Sequence, residues 1–206
     1  EVVADDKSIV PDGIIVYTAE TVVLEHETIL LEVTATQIDL SFATEYIGDT
    51  VSLTHNGKAF GGGAVLDGKL NVDLSGITET GALTLLASTV KNNVIYTFNV
   101  NVLLATKIIR NAEDLDVLKI RQAGISIYGY YVLGANIDMK NATISQDPGD
   151  NNFWVDSLGF RGVFDGRNHT ISNFTAGANG LFGHIGKGAK INNVKFANVS
   201  YNKDYR

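Results

Sequence analysis

The sequence predicts an all-β protein in two parts: an immunoglobulin-like β-sandwich, then a stack of short β coils capped by a helix. Three observations carry that reading. Apolar and polar residues alternate with period two over much of residues 14–104, and Asn-Gly or Asp-Gly pairs separate the runs. The second half echoes itself, since Ile171-Ser-Asn-Phe174 and Ile191-Asn-Asn-Val194 share the order apolar, polar, Asn, apolar at an offset of 191 − 171 = 20. Repeats of about 20–50 residues mark solenoids, in which one unit covers its apolar face only by stacking on the next. Composition agrees: Val, Ile, Thr, Tyr and Phe recur, Gly is plentiful at 21 and Pro scarce at 2.

The elements follow in order. Ile38-Asp-Leu-Ser-Phe42, Val51-Ser-Leu53, Leu70-Asn-Val-Asp-Leu74, Leu83-Thr-Leu85 and Tyr96-Thr-Phe-Asn-Val-Asn-Val102 alternate as half-buried strands do. The turn signals between them are Asn56-Gly57, Gly61-Gly-Gly63, Asp67-Gly68 and Asn92-Asn93. Turns every 8 to 12 residues or so over about 90 residues predict antiparallel strands in a sandwich of immunoglobulin type, taken as residues 1–105. The character changes at about Ala105. Asn111-Ala-Glu-Asp-Leu-Asp-Val-Leu-Lys-Ile-Arg121 reads as a helix, with Asn111 as cap, Glu113 and Asp114 in the first turn and Leu115 and Leu118 on one face. Such a helix covers the first rung of a stack that would otherwise recruit strands. Residues 106–206 are thus expected to form the cap and first coils.

Composition excludes several functions. A charge of −7 argues against nucleic-acid binding, which needs a basic face to displace counterions. No run of about 18 apolar residues offers a transmembrane segment. With no Cys, disulfides, thiolate metal sites and a Cys nucleophile are out. There is no Met at position 1 and no signal-peptide core, and Tyr201-Asn-Lys-Asp-Tyr-Arg206 follows a strand-like repeat without a cap. A fragment of a longer protein is therefore expected.

The pieces Tyr131-Val-Leu133, Asn136-Ile-Asp138, Trp154, Phe160-Arg-Gly-Val-Phe-Asp-Gly166, Asn168-His-Thr-Ile-Ser-Asn173 and Gly180-Leu-Phe-Gly183 stand in one order. Together they resemble the GLUG-type repeat modules of bacterial surface proteins, which occur beside immunoglobulin A peptidases and adhesins. The resemblance covers roughly residues 106–200. It implies a right-handed parallel β-helix, a bacterial source and display outside the cell, and it brings no catalytic residues. The residues make sense on their own too. Phe160, Phe164, Ile171, Phe174, Leu181, Phe182, Ile185, Ile191, Val194 and Phe196 are expected to point inward. Gly162, Gly166, Gly180 and Gly183 would make tight corners. Asn173 and Asn193 would form an amide ladder.

Each candidate site has a plainer reading, and the plainer one is preferred. Asp138, Asp156 and Asp165 could pair as glycosidase carboxylates, but Asp165-Gly166 is a turn dipeptide and Asp138 lies in a repeat strand. Asp147, Asp150, Asn151, Asn152 and Asp156 are oxygen-rich enough for calcium, yet their spacing fits no EF-hand or calcium-binding nonapeptide repeat. Trp154, with Phe153, Tyr130 and Tyr131, could stack on sugar rings, although aromatics mostly fill cores. Glu25-His26-Glu27 puts alternate side chains on opposite strand faces, which is poor metal geometry. His55 is expected beside the Asn56-Gly57 hairpin and facing solvent, and His169 and His184 at repeat corners. Asn141, Asn168, Asn173 and Asn198 open Asn-x-Ser/Thr triplets that read as by-products of Asn-rich corners. Gly61-Gly-Gly63 opens no helix, so it is no phosphate loop. No His-Glu-x-x-His zinc motif occurs.

No catalytic, cofactor-binding or metal residue is therefore assigned, and the chain is expected not to be an enzyme. The expected role is that of a structural and adhesive module at a bacterial cell surface, with a host or cell-surface glycan or protein as partner. The alternatives are an accessory region of a secreted carbohydrate-active enzyme or peptidase, and a glycan-binding module.

Overall fold

Three dipeptides turn the chain as their type demands. Asn56 and Gly57, Asp67 and Gly68, and Asn92 and Asn93 all have φ between 50° and 75°. Two consecutive positive φ values make a type I′ turn, whose twist matches that of paired strands. The computed structural model describes residues 18–21, 28–77, 79–116, 128–144, 160–177, 180–182 and 185–202. In chain order the elements are β1 (Thr18–Thr21), β2 (Ile29–Glu32), β3 (Gln37–Ser41), β4 (Thr50–His55), β5 (Lys58–Ala64), β6 (Lys69–Asp73), β7 (Gly81–Lys91), β8 (Val94–Ala105) and β9 (Lys107–Ile109). Then come α1 (Ala112–Asp116), β10 (Tyr130–Leu133), β11 (Ile137–Ile144), β12 (Val163–Asp165), β13 (Thr170–Ala176), β14 (Lys190–Asn192) and β15 (Lys195–Tyr201). The protein is mostly β. Two units divide it: residues 1–27, 37–73 and 84–100 form one, and residues 28–36, 74–83 and 101–206 the other.

In the first unit β4 lies between β5 and β7, antiparallel to both, and β3 pairs antiparallel with β6. The β3–β6 pair shows why alternation selects a strand. Ile38 faces Val72 and Leu40 faces Leu70, all at most 6 % exposed, while Asn71 Nδ2 donates to Asp39 Oδ1 at 2.8 Å on the wet face. Phe42, Tyr46 and Phe98 meet edge to face, with Tyr46 and Phe98 centroids 5.2 Å apart at 86°. That geometry sets ring edges against the negative faces. The expectation of antiparallel pairing throughout needs correction at β1, which runs parallel to residues 94–97 of β8. Alternation reports only which face a residue takes, and both strand directions share it.

In the second unit β2 also runs parallel to β8, along residues 102–105. After α1 the chain visits two sheets by turns. One has the order β14-β12-β10-β9 and the other β11-β13-β15, with parallel pairing at every junction. The 20-residue echo is not the spacing between stacked neighbours. Tyr130 pairs with Val163 and Val163 with Lys190, 33 and 27 residues on; Ile137 pairs with Ile171 and Thr170 with Lys195, 34 and 25 on. Ile171-Ser-Asn sits in β13 and Ile191-Asn-Asn begins in β14, so the echo relates equivalent corners of the two sheets.

Phe160, Phe164, Ile171, Phe174 and Leu181 are buried as expected, in one cluster with Ile109, Leu115, Tyr131, Leu133, Ile137 and Met139. Phe182, Ile191 and Val194 pack against it half-buried. Ile185 and Phe196 depart from expectation at 51 % and 47 % exposed. Phe196 pairs with Ile171 and sits in the outermost strand β15, where no described strand lies beyond it. Asn111 Oδ1 accepts the Asp114 N–H at 2.8 Å, capping α1 as its sequence predicts, and Leu115 joins the cluster. Gly162 and Gly166 are required by close approach. A Cβ would lie 2.1 Å from the Gly129 carbonyl oxygen at the first and 2.5 Å from the Asn193 carbonyl oxygen at the second. Gly180 takes φ +66°, a turn conformation, whereas Gly183 lies outside the described residues.

Candidate functional site

Among the described residues a dense set of polar side chains sits at bends within β11, β13 and β15 and at the ends of β12 and β14. In β11, Asp138 Oδ1 accepts the Lys140 N–H at 2.9 Å, and Lys140 and Asn141 then take φ of 50° and 62°. After β12 the same form recurs: Asp165 Oδ1 accepts the Arg167 N–H at 2.9 Å, and Arg167 and Asn168 have φ of 45° and 65°. A short carboxylate that bonds the N–H two residues on stabilises such a corner, and Asn tolerates positive φ better than most residues. The common pattern is Asp-x-basic-Asn, at 165 − 138 = 27 residues. That recurrence is visible in the sequence, went unread there, and is the signal that could have found this corner.

On the following strands one Asn answers each Asp. Asn173 Nδ2 donates to Asp138 Oδ1 at 2.9 Å, and Asn193 Nδ2 donates to Asp165 Oδ1 at 3.0 Å. Asn198 Nδ2 then donates to Asn173 Oδ1 at 3.0 Å. Asn173, Asn193 and Asn198 all take positive φ, between 50° and 58°. An amide ladder exists, but not with the expected membership: Asn173 stacks with Asn198, while Asn193 belongs to the other sheet. Asn198 was missed because its partner is 25 residues away, not 20.

These contacts give each acid a place at its corner. The Asp138 carboxyl is held below the usual carboxylate range, first by the Asn173 amide and then by the Lys140 N–H. Hydrogen bonds aimed at the ionised form keep it ionised, which suits an acceptor and not a general acid. Asp165 has the same pair of donors. Asp138 and Asp165 lie in different sheets, each serving its own corner, and Asp156 lies outside the described residues. Tyr130 is half-buried and its phenol is pushed up by burial first and the Asp165 charge second, against an opposing effect of Arg167, so it stays protonated. Tyr131, only 1 % exposed and 6.1 Å from Phe160, fills the core and presents no platform for sugars.

The remaining candidates separate. Asp147, Asp150, Asn151, Asn152, Phe153, Trp154, Glu25, His26, Glu27 and His184 lie outside the described residues. His55 is half-buried, with Nδ1 3.3 Å from the Thr84 carbonyl and Nε2 3.1 Å from Asn56 Nδ2. The His169 carbonyl accepts the Lys195 N–H at a corner. Gly61-Gly-Gly63 is part of β5, so it cradles no phosphate. The four Asn that open Asn-x-Ser/Thr triplets all take positive φ, which agrees with their reading as corner residues. No group of three metal-ligating side chains occurs among the described residues, and no described helix is long and apolar enough to cross a membrane.

Two further polar groups went unread in the sequence. Lys107 Nζ lies 3.1 Å from Glu32 Oε1 and 3.8 Å from Asp114 Oδ1, tying β2, β9 and α1 together. In the first unit a cleft of about 510 Å3 is lined by Asp49, Thr50, Ser52, Ser88, Thr89 and neighbours. Asp49 Oδ2 is buried there without a hydrogen bond, 3.7 Å from Lys91 Nζ. Lys91 itself donates to the Glu45 carbonyl and sits 5.4 Å over the Tyr46 ring.

No protein-family model matches the chain, and no curated protein does. One solved structure aligns with it, the PKD domain (329–428) from human KIAA0319, at 14 % identity over 47 % of this chain and 90 % of that one. Its TM-score of 0.27 carries no argument about fold or function. What stands is a mostly β protein with a dense set of polar side chains at its stacked strand corners.

Proposed function

We propose that the chain is a non-catalytic structural and adhesion module of a larger bacterial surface protein. In this reading the second part is the start of a right-handed parallel β-helix of GLUG type, closed at one end by α1. The immunoglobulin-like first part acts as spacer or docking module. The observation that carries it is the alternation of β10 to β15 between two parallel sheets, with an Asp or Asn side chain passed from strand to strand at each corner. Such a column spends its polar groups on holding backbone corners, as a display scaffold needs. Leu115 of α1, buried in the same cluster as Ile109 and Ile137, supports the helix as a lid.

The test is location. Antibody raised against the purified chain should label intact, unpermeabilised cells of the source bacterium. Labelling that appears only after permeabilisation refutes surface display. Release of reducing ends from polysaccharide by the purified chain would instead favour the enzyme-associated reading. Glycan-array binding that disappears in Trp154→Ala, with the circular dichroism spectrum intact, would favour a glycan-binding module.

A further inference from the structure

Charge is spread unevenly along the chain. The net charge is −7, yet the described residues from 160 to 202 hold Arg161, Arg167, Lys187, Lys190 and Lys195 against a single acid, Asp165. Asp165 is already engaged by the Arg167 N–H and the Asn193 amide. Lys187, Lys190 and Lys195 are exposed and Arg167 is half-buried, and none of these four makes an ion pair among the described residues. Strand pairing points the two strand lysines outward. Lys190 pairs with Val163 while the next residue, Ile191, pairs with buried Phe164. Lys195 pairs with Thr170 while Phe196 pairs with buried Ile171. Successive strand residues take opposite faces, so both lysines leave the stack sideways, and a further strand laid on β14 or β15 would not cover them. Backbone contacts between rungs bring in the other cations. The Gly186 N–H on the Phe160 carbonyl and the Lys190 N–H on the Gly162 carbonyl set the Lys187 turn beside Arg161. The Gly166 N–H on the Asn192 carbonyl and the Asn168 N–H on the Asn193 carbonyl set Arg167 beside the corner between Lys190 and Lys195.

We propose that this lateral band of cations binds a sparsely charged acidic polysaccharide. Along the chain Lys187 and Lys190 are at most about 10 Å apart, and Lys190 and Lys195 at most about 17 Å. That spacing suits a polymer with one carboxylate on every second sugar. Exposed Asn192 and Asn193 lie between the lysines, and amide groups both donate to and accept from sugar hydroxyls. Duplex DNA carries a charge per about 1.7 Å, so it would meet few cations per phosphate and the repulsion of a chain at −7. An anionic bilayer is flat, whereas the band turns a corner from β14 in one sheet to β15 in the other, which a flexible strand follows and a plane does not. The choice of a glycan rests on the surface-module reading, but binding by the purified chain does not depend on where the chain is displayed.

The probe is size-defined hyaluronan, which has one carboxylate per disaccharide, titrated into the full chain by isothermal calorimetry at low and at high salt. It should bind saturably, and more weakly in the higher salt. Lys187→Gln, Lys190→Gln and Lys195→Gln should each weaken binding about threefold, and all three together about 30-fold, the scale of exposed ion pairs, with the circular dichroism spectrum unchanged. Lys58→Gln and Lys69→Gln, at exposed cations of the first unit, should leave the affinity as it was. Absence of binding at low salt, equal binding by uncharged dextran, or a loss in Lys58→Gln as large as in Lys190→Gln overturns the proposal. So does tighter binding by polyglutamate, duplex DNA or phosphatidylserine vesicles, which would make an acidic protein, a nucleic acid or a membrane the partner. Hyaluronan binding without labelling of intact cells refutes surface display and leaves this site standing; labelled cells with no hyaluronan binding do the reverse.

Discussion

Ile171 and Phe196 occupy successive levels of one register column but differ sharply in exposure, and that difference sets the cost of truncating each. Ile171→Ala removes three carbon groups from a fully buried site. At about 0.8 kcal/mol for each CH2 the transfer loss is about 2.4 kcal/mol. The cavity left between Ile137 and Phe196 raises the expected total to about 3–4 kcal/mol, within the range seen for such truncations. Phe196→Ala works out differently. An enclosed aromatic buries about 200 Å2, so one exposed by nearly half buries about 100 Å2, or about 2.5 kcal/mol at 25 cal/mol per Å2. Water fills the space it leaves, so no cavity cost is added and about 2.5 kcal/mol is the upper expectation. The assay is equilibrium urea unfolding by far-ultraviolet circular dichroism and by fluorescence of Trp154, the sole tryptophan. Because the two side chains adjoin, the double variant should miss additivity by about 0.5 kcal/mol or more. If Phe196→Ala costs as much as Ile171→Ala, or the pair is strictly additive, the column does not stack as described.

Three other outcomes follow from the corners and caps. Asn173→Gly keeps the positive φ but loses two amide contacts, so it should lower the urea midpoint more than Asn198→Gly, which loses one; equal shifts would refute the ladder. The Asp138 carboxyl is depressed in the folded state, so its stabilisation is complete above the ordinary value of about 3.9 and lost as pH falls through the lowered one. Unfolding midpoints measured from pH 6 down to pH 2 should thus fall less steeply in Asp138→Asn than in the native chain. Gly162→Ala drives a Cβ against the Gly129 carbonyl, where backbone must move, and should cost about 1–3 kcal/mol in the same urea assay, whereas a cost near zero would mean the two backbone segments are not in contact.

How much was legible depends on how far apart the interacting residues lie. Asn56-Gly57, Asp67-Gly68 and Asn92-Asn93 were readable because a turn is decided by the φ preferences of adjacent residues. The Asn111 cap was readable because its partner, Asp114, is three residues on. The inward Phe160, Phe164, Ile171 and Phe174 followed from apolar spacing. The misreadings were the partner of Asn173, the directions of β1 and β2, and the exposure of Ile185 and Phe196. Each turns on which distant strand lies alongside, and strands in either direction carry the same alternation.

Order along the chain accounts for the β character, the turns, the helix cap and the choice of apolar residues for one face, since those are local preferences of backbone and side chain. Folding in three dimensions settled the register. Asp138 meets Asn173 across 35 residues and Asp165 meets Asn193 across 28, while Phe196 is half exposed where no described strand lies beyond β15. A hydrogen bond between strands needs the whole stack to bring its two ends within 3 Å or so, and no short window of sequence contains that information.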